Sequence, residues 1–258
     1  MSRSVKAVVV LDRRVQRGVG FRDRGLPIVA SVLVAISVAV GPDVRSDSLN
    51  ENSGDPDTRL VDAVLISSAD REDIEVFKRM LHDALRGSPT MRRVLVDLGA
   101  DTDPANAIVV VLARSAPGIF IDSYERKLID LDDLEKLPSA HEPSSSQNAI
   151  TREEQLVHVL AERRHAARLV AQGRRMGQAL SGEQVFMAAH EVGLVQENSY
   201  RAERGQIALI DAASHAVNGA PDEAVIEYRL ADGTACIIVT SHHGRIDRII
   251  PPRAPHAP

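Results

Sequence analysis

The chain has 258 residues, 44% of them hydrophobic and 3% aromatic, no Trp, and a formal net charge of −5. That length allows one good-sized domain, or a smaller one with tails. The mild acidity excludes a dedicated nucleic-acid binder, which needs a basic footprint, and a single cysteine, Cys236, excludes an intrachain disulfide and any multi-cysteine zinc site.

Residues 1–41 open with a basic stretch containing Arg13, Arg14, Arg17, Arg22 and Arg24, followed by an uncharged apolar run over 26–40. The run is shorter than the roughly 20 residues of a membrane-spanning helix and suits the apolar region of a secretory signal. The protein is therefore expected to be secreted or delivered to a host cell. A membrane-anchored or periplasmic location is the alternative, with membrane contact through this segment alone. Residues 42–59 are polar and rich in Asp, Ser and Asn, which reads as a linker.

A folded domain is expected over 60–206, opening with a strand at 61–66. Ile74, Phe77, Leu81 and Leu85 recur at helical spacing and predict a helix over 70–85, stopped by Gly87. Ser88 or Thr90 caps a second helix through Leu98. The apolar runs 107–113 and 118–121 have strand length, and 122–148 is acidic and then Ser-rich, a loop with at most a turn of helix.

The stretch 151–173 is the longest convincing helix, and Thr151 with Glu154 fits a capping box at its start. Leu156, Val159, Leu160, Ala167 and Val170 give it an apolar face, while His158, Glu162 and His165 form a stripe elsewhere. Ligands four apart rise about 6 Å and share a face, so His158 and Glu162 can both reach one metal. His158 and His165 are separated by a rise of about 10.5 Å, too far for one zinc with bonds of about 2.1 Å. A further helix over 181–204 supplies Glu183, His190, Glu191, Glu197 and Glu203, any of which could complete a site.

Three short β segments, 224–230, 234–240 and 245–250, follow, turned by Asp232-Gly233 and near Gly244. They make 207–250 a C-terminal β-meander, with 251–258 a tail. His242 and His243 fall in a turn, and Cys236 reads as a buried thiol. A phosphate-binding Gly-rich loop, a GxSxG elbow and a CxxC pair are all missing, so nothing supports nucleotide hydrolysis, serine hydrolysis or thiol redox chemistry. The fold class is α+β: helices on a small mixed sheet, with the antiparallel meander at the end.

Two segments, LVHVLAERRHAARL and HEVGLVQENSYRAERG, taken in this order of elements, resemble the zincin-type metallopeptidase effectors of bacterial secretion systems. The resemblance covers about 61–206. In the family's HExxH helix, Glu162 would match the general base and His165 the second zinc ligand, while Ala161 replaces the first histidine. Val192-Gly193, Glu197-Asn198, Arg201, Glu203 and Gly205 match a later segment that lies behind the helix, and Glu183 or Glu191 would be an acidic third ligand. The resemblance implies either a degenerate relative that acts by binding another protein or an active zinc peptidase with Glu162 as base. His158, His165 and Glu191 are the candidate metal ligands, zinc the candidate cofactor, and a protein the expected partner or substrate.

Overall fold

The computed structural model describes residues 55–99, 108–117, 119–123, 127–142, 148–178, 180–216, 224–240 and 245–252. The basic and apolar N-terminal segment, His242, His243 and most of the C-terminal tail lie outside the described residues. Residues 55–258 form one compact unit.

Where a strand was expected at 61–66, the chain starts with helix α1, Pro56–Asp62, and strand β1 is the short Leu65–Ser67. Asp55 caps α1 by accepting from the Asp57 amide, and Pro56 takes the first helical position, where its missing N–H costs nothing. Helix α2, Arg71–Leu85, is capped by Asp70, and helix α3, Pro89–Gly99, by Ser88, whose Oγ accepts from the Met91 amide at 3.0 Å. Between α2 and α3, Gly87 adopts φ 70°, the left-handed conformation that suits glycine at a helix end.

Strands β2, Val109–Ala113, β3, Asp122–Ser123, and β4, Leu128–Asp130, follow, and helix α4, Leu131–Lys136, leads on from β4. The expected strand at 118–121 is absent: Ile119 and Ile121 are buried, but Phe120 makes only an isolated bridge to Asp122. These strands build a mixed sheet in the order β1-β2-β4-β3, parallel except for the antiparallel edge strand β3. Helix α5, Arg152–Arg175, opens on the Thr151/Glu154 capping box, and helix α6, Gly182–Glu203, on a second box formed by Ser181 and Gln184. The last four strands are β5, Leu209–Ala216, β6, Ala224–Leu230, β7, Ala235–Thr240, and β8, Ile246–Ile250. They form an antiparallel sheet in sequence order, one strand larger than expected. The Asp232-Gly233 turn joins β6 to β7, with Gly233 at φ 85°.

Both sheets share one core with the helices, which includes Phe77, Leu95, Ile129 and Leu160 together with Tyr228, Cys236 and Ile238 from the meander. Helix α5 runs through the middle and packs against α2, α3, α4 and α6. Its burial departs from a simple amphipathic pattern. Val170 is exposed, whereas Glu153, Glu154, Gln155, His158, Glu162, Arg163 and Arg164 are all buried. Buried polar groups demand partners, and α5 recruits them from all sides. Glu153 accepts from Ser139 Oγ and the Ala140 amide, both at 2.8 Å, and Arg163 donates to the carbonyls of Lys127 and Leu128 at 2.8 and 2.6 Å. Glu154 meets Arg201 at 2.7 Å with both side chains fully buried.

The second half of α6 supplies most of the remaining ties. Asn198 pins Leu209 at the start of β5, donating to its carbonyl at 2.8 Å and accepting from its amide at 2.7 Å. Arg201 Nε donates to the Ile207 carbonyl at 2.7 Å. Glu203 accepts from the Thr90 amide at 2.9 Å and from Ser88 Oγ at 2.6 Å, closing the N-terminus of α3, where a carboxylate meets the positive end of the helix. Gly205, at φ 67°, ends the segment. Among the described residues, no helix is long and apolar enough to cross a membrane.

Candidate metal centre

Helices α5 and α6 approach most closely where Gly193 faces His158. A Cβ placed on Gly193 would stand 2.9 Å from both Cδ2 and Nε2 of that imidazole, closer than real contacts allow. The close approach brings three side chains together. His158 Nε2 lies 3.1 Å from His190 Nδ1 and 3.3 Å from Glu162 Oε2, and His190 Nδ1 lies 3.4 Å from the same oxygen.

That triangle fits a metal. With bonds of about 2.0–2.1 Å, two ligands on a tetrahedral zinc are separated by about 3.3–3.4 Å, close to all three observed edges. The outer partner fits as well. His158 Nδ1 lies 2.8 Å from Glu197 Oε2, and Gln155 Nε2 donates to the other Glu197 oxygen at 3.0 Å. An ionised carboxylate only accepts, so Nδ1 carries the proton and Nε2 is left to bind. A carboxylate behind a ligating histidine is the usual support of such a ligand, fixing both ring orientation and tautomer.

The electrostatics favour a cation. Burial works against the imidazolium of His158, yet the hydrogen bonds to Glu162 and Glu197 outweigh it and raise the pKa to about 10. Burial likewise favours the neutral acid at Glu162, but bonds to His158 and His190 outweigh it and hold the carboxyl at about 2. Asp122 of β3 interacts electrostatically with all three residues, and burial raises it to about 6. Arg163 reaches Asp122 at 3.7 Å. Three carboxylates, Glu162, Glu197 and Asp122, against the Arg163 guanidinium surround the group with acidic side chains, which suits a cation. The side chains of His158 and Glu162 are 11% and 6% exposed and that of His190 is 42%, so the group opens to solvent at His190, which stacks on Phe186.

Of the residues singled out in the sequence, His158 and Glu162 are in this group, whose three side chains could hold a metal ion. His190 joins them from α6. His165 and Glu191 lie outside the group. His165 lines a separate cavity with Ala161, on the α3 side of α5, and its rise of about 10.5 Å past His158 keeps it out of the group. Glu191, next to His190 on α6, points to solvent, and so does Glu183. Sequence reasoning placed Glu197 among the acids that could complete a site without assigning it to His158, and it missed Asp122. The i to i+4 pair of His158 and Glu162 was visible, but which residues face it across α6 and β3 depends on tertiary packing.

No family model matches the chain, and neither a curated protein nor a solved structure does.

Proposed function

We propose that the protein is a zinc-dependent hydrolase, a divergent relative of the zincin-type metallopeptidases, with its metal held by His158, Glu162 and His190. The observation that carries this reading is the triangle of three ligand atoms at 3.1, 3.3 and 3.4 Å with Glu197 behind His158. Two imidazoles and one carboxylate are a ligand set that leaves a coordination position for substrate, as catalytic zinc sites do. When bound, zinc supplies a Lewis acid that polarises a carbonyl and activates water. Glu162 is then occupied as a ligand, so the proton-accepting role assigned to it by the family motif passes to Asp122, the remaining carboxylate at the site. Glu197 holds His158 in the required tautomer, and the half-exposed His190 marks the side from which substrate enters.

The resemblance makes a peptide bond the substrate and a protein the target, with export from the cell as the route to it. The deviant motif, with Ala161 where the family has its first histidine, is accommodated by drawing both histidine ligands from elsewhere, His158 one turn before Glu162 on α5 and His190 on α6.

Metal analysis by mass spectrometry of the purified chain, beside His158→Ala and His190→Ala, tests the proposal. We expect about one zinc per chain, lost in both variants and retained in His165→Ala, together with chelator-sensitive cleavage of an unfolded protein substrate. Iron in place of zinc would redirect the site to oxygen chemistry, for which two histidines and a carboxylate also serve. A wild-type protein that takes up no metal on reconstitution would leave a binding scaffold and sink the hydrolase.

A further inference from the structure

We propose that Asp133 is a positioning residue for the metal centre: together with Arg163 it clamps a strained edge of the mixed sheet and so holds Asp122 toward His158, Glu162 and His190. In the hydrolase reading, on which this rests, Asp122 takes the proton.

Strand β3 begins on an unfavourable backbone. Ile121, the residue before Asp122, adopts φ 60° while buried. A β-branched residue is an outlier in that region, because its side chain crowds the backbone. The Asp122 amide donates to the Phe120 carbonyl at 2.6 Å and closes a three-residue turn about Ile121. With positive φ at its centre, such a turn is the rare and strained form. Lys127, just before β4, also has a positive φ, 56°. Ser115 is the third non-glycine residue of this kind among the described residues, so two of the three bracket the strand that carries Asp122.

Each end is gripped by a buried charged side chain. The Ile121 amide donates to Asp133 Oδ2 at 3.2 Å, and the Ile121 carbonyl accepts from the Asp130 amide at 2.7 Å, so both polar groups of the strained residue are bound in this conformation. The other oxygen of Asp133 accepts from the Ile246 amide at 2.9 Å, which anchors the clamp to the start of β8. At the far end Arg163 forks across the carbonyls of Lys127 and Leu128 at 2.8 and 2.6 Å and comes within 3.7 Å of Asp122 Oδ2. Hydrogen bonds with a charged partner are the stronger kind, which suits them to hold a backbone that would otherwise relax.

Strain of this sort persists only where the surroundings over-determine it, and it collects at functional sites. Relaxing Ile121 to negative φ would re-aim the next residue, Asp122, whose charge acts on His158, Glu162 and His190. Asp133 belongs to α4, whereas the three ligands belong to α5 and α6, so its loss should spare the ligand triangle itself.

Solution NMR of the full chain, following the Asp122 carboxyl carbon as zinc chloride is added, tests the proposal beside Asp133→Asn. In the wild type the signal should move as zinc binds. In Asp133→Asn, zinc should bind with unchanged affinity while the Asp122 signal no longer follows it. The Ile121 and Asp122 amides should also exchange with solvent at least about tenfold faster, the effect of losing a hydrogen bond to a charged group. Arg163→Lys keeps the charge but cannot span two carbonyls, so it repeats the test from the other end should Asp133→Asn fail to fold. An Asp122 signal that follows zinc as fully in the variants as in the wild type overturns the positioning role, and so does a wild type that binds zinc without moving it. A wild type that takes up no zinc sinks the hydrolase and this role together, and metal content tells the two failures apart.

Discussion

Gly193 is the point at which α6 touches His158, with room there for a hydrogen and nothing larger. The contact fixes where His190 and Glu197, three residues before and four after it, meet the imidazole from opposite ends. Gly193→Ala should therefore push α6 away or twist His158 off its position. Overpacking of this kind costs about 1–3 kcal/mol of stability, and the loss of metal should be larger than the loss of fold. Metal content measured beside denaturant midpoints checks this. A variant that is fully loaded yet destabilised would show that the glycine serves packing alone.

Glu197 is expected to act through His158. Glu197→Gln keeps the size of the side chain and one acceptor oxygen, yet removes the charge opposite Nδ1. Losses behind a metal ligand cost about 10- to 100-fold in affinity, so competition with a chromogenic chelator should show a drop in that range. His158→Ala should abolish binding outright. Equal affinity in wild type and Glu197→Gln would mean that the hydrogen bond at 2.8 Å contributes nothing to the site.

Without metal, the proton takes the cation's place, and stability should follow pH accordingly. His158 rises from 6.5 to about 10 on folding, so its contribution is fully present below about 6.5 and fades as pH climbs through 10. Glu162 falls from 4.5 to about 2, so its contribution is present above about 4.5 and is lost as pH drops toward 2. The two shifts describe one interaction, strongest between about 4.5 and 6.5. Unfolding free energies of chelator-treated wild type and His158→Gln, measured across pH, should differ most in that window and converge toward both extremes. A difference that keeps growing above pH 7 runs against the sign of both shifts.

Much of the frame was legible because its signals are local. The Thr151/Glu154 box, the apolar spacing of α2 and the Asp232-Gly233 turn each rest on hydrogen bonds or packing within a few residues. What escaped depends on distant partners. Strand β4 has three residues and exists because β2 pairs with it in parallel and β3 pairs with its other edge. Strand β5, LIDAASHA, lacks a clean alternation and is held by its pairing with β6. At 61–66 the apolar run suggested a strand, but Asp55-Pro56 starts a helix that uses Val61 as its buried residue. The metal centre divides the same way: His158 and Glu162 lie one turn apart and could be paired by spacing, whereas Glu197 and Asp122 reach them only through the packing of α6 and the edge strand.

The pair of Glu154 and Arg201 separates support of the site from the site itself. It lies one turn before His158 on α5, fully buried, and ties α5 to α6 at 2.7 Å while Arg201 also holds the Ile207 carbonyl. Breaking a buried pair by removing one partner costs up to about 3–5 kcal/mol, and burial already raises Glu154 to about 8, so without Arg201 it would hold a proton and an unpartnered buried acid would remain; replacing both by apolar residues of similar size is often neutral. Arg201→Met alone should thus lower stability by up to that amount and release metal as the helices part. Glu154→Leu with Arg201→Met should restore most of the stability, and with it the metal, because neither residue is a ligand. Denaturant unfolding and metal content of the two variants check this together. A double variant that is stable but empty of metal would show that the ion pair sets the helix spacing the ligands require.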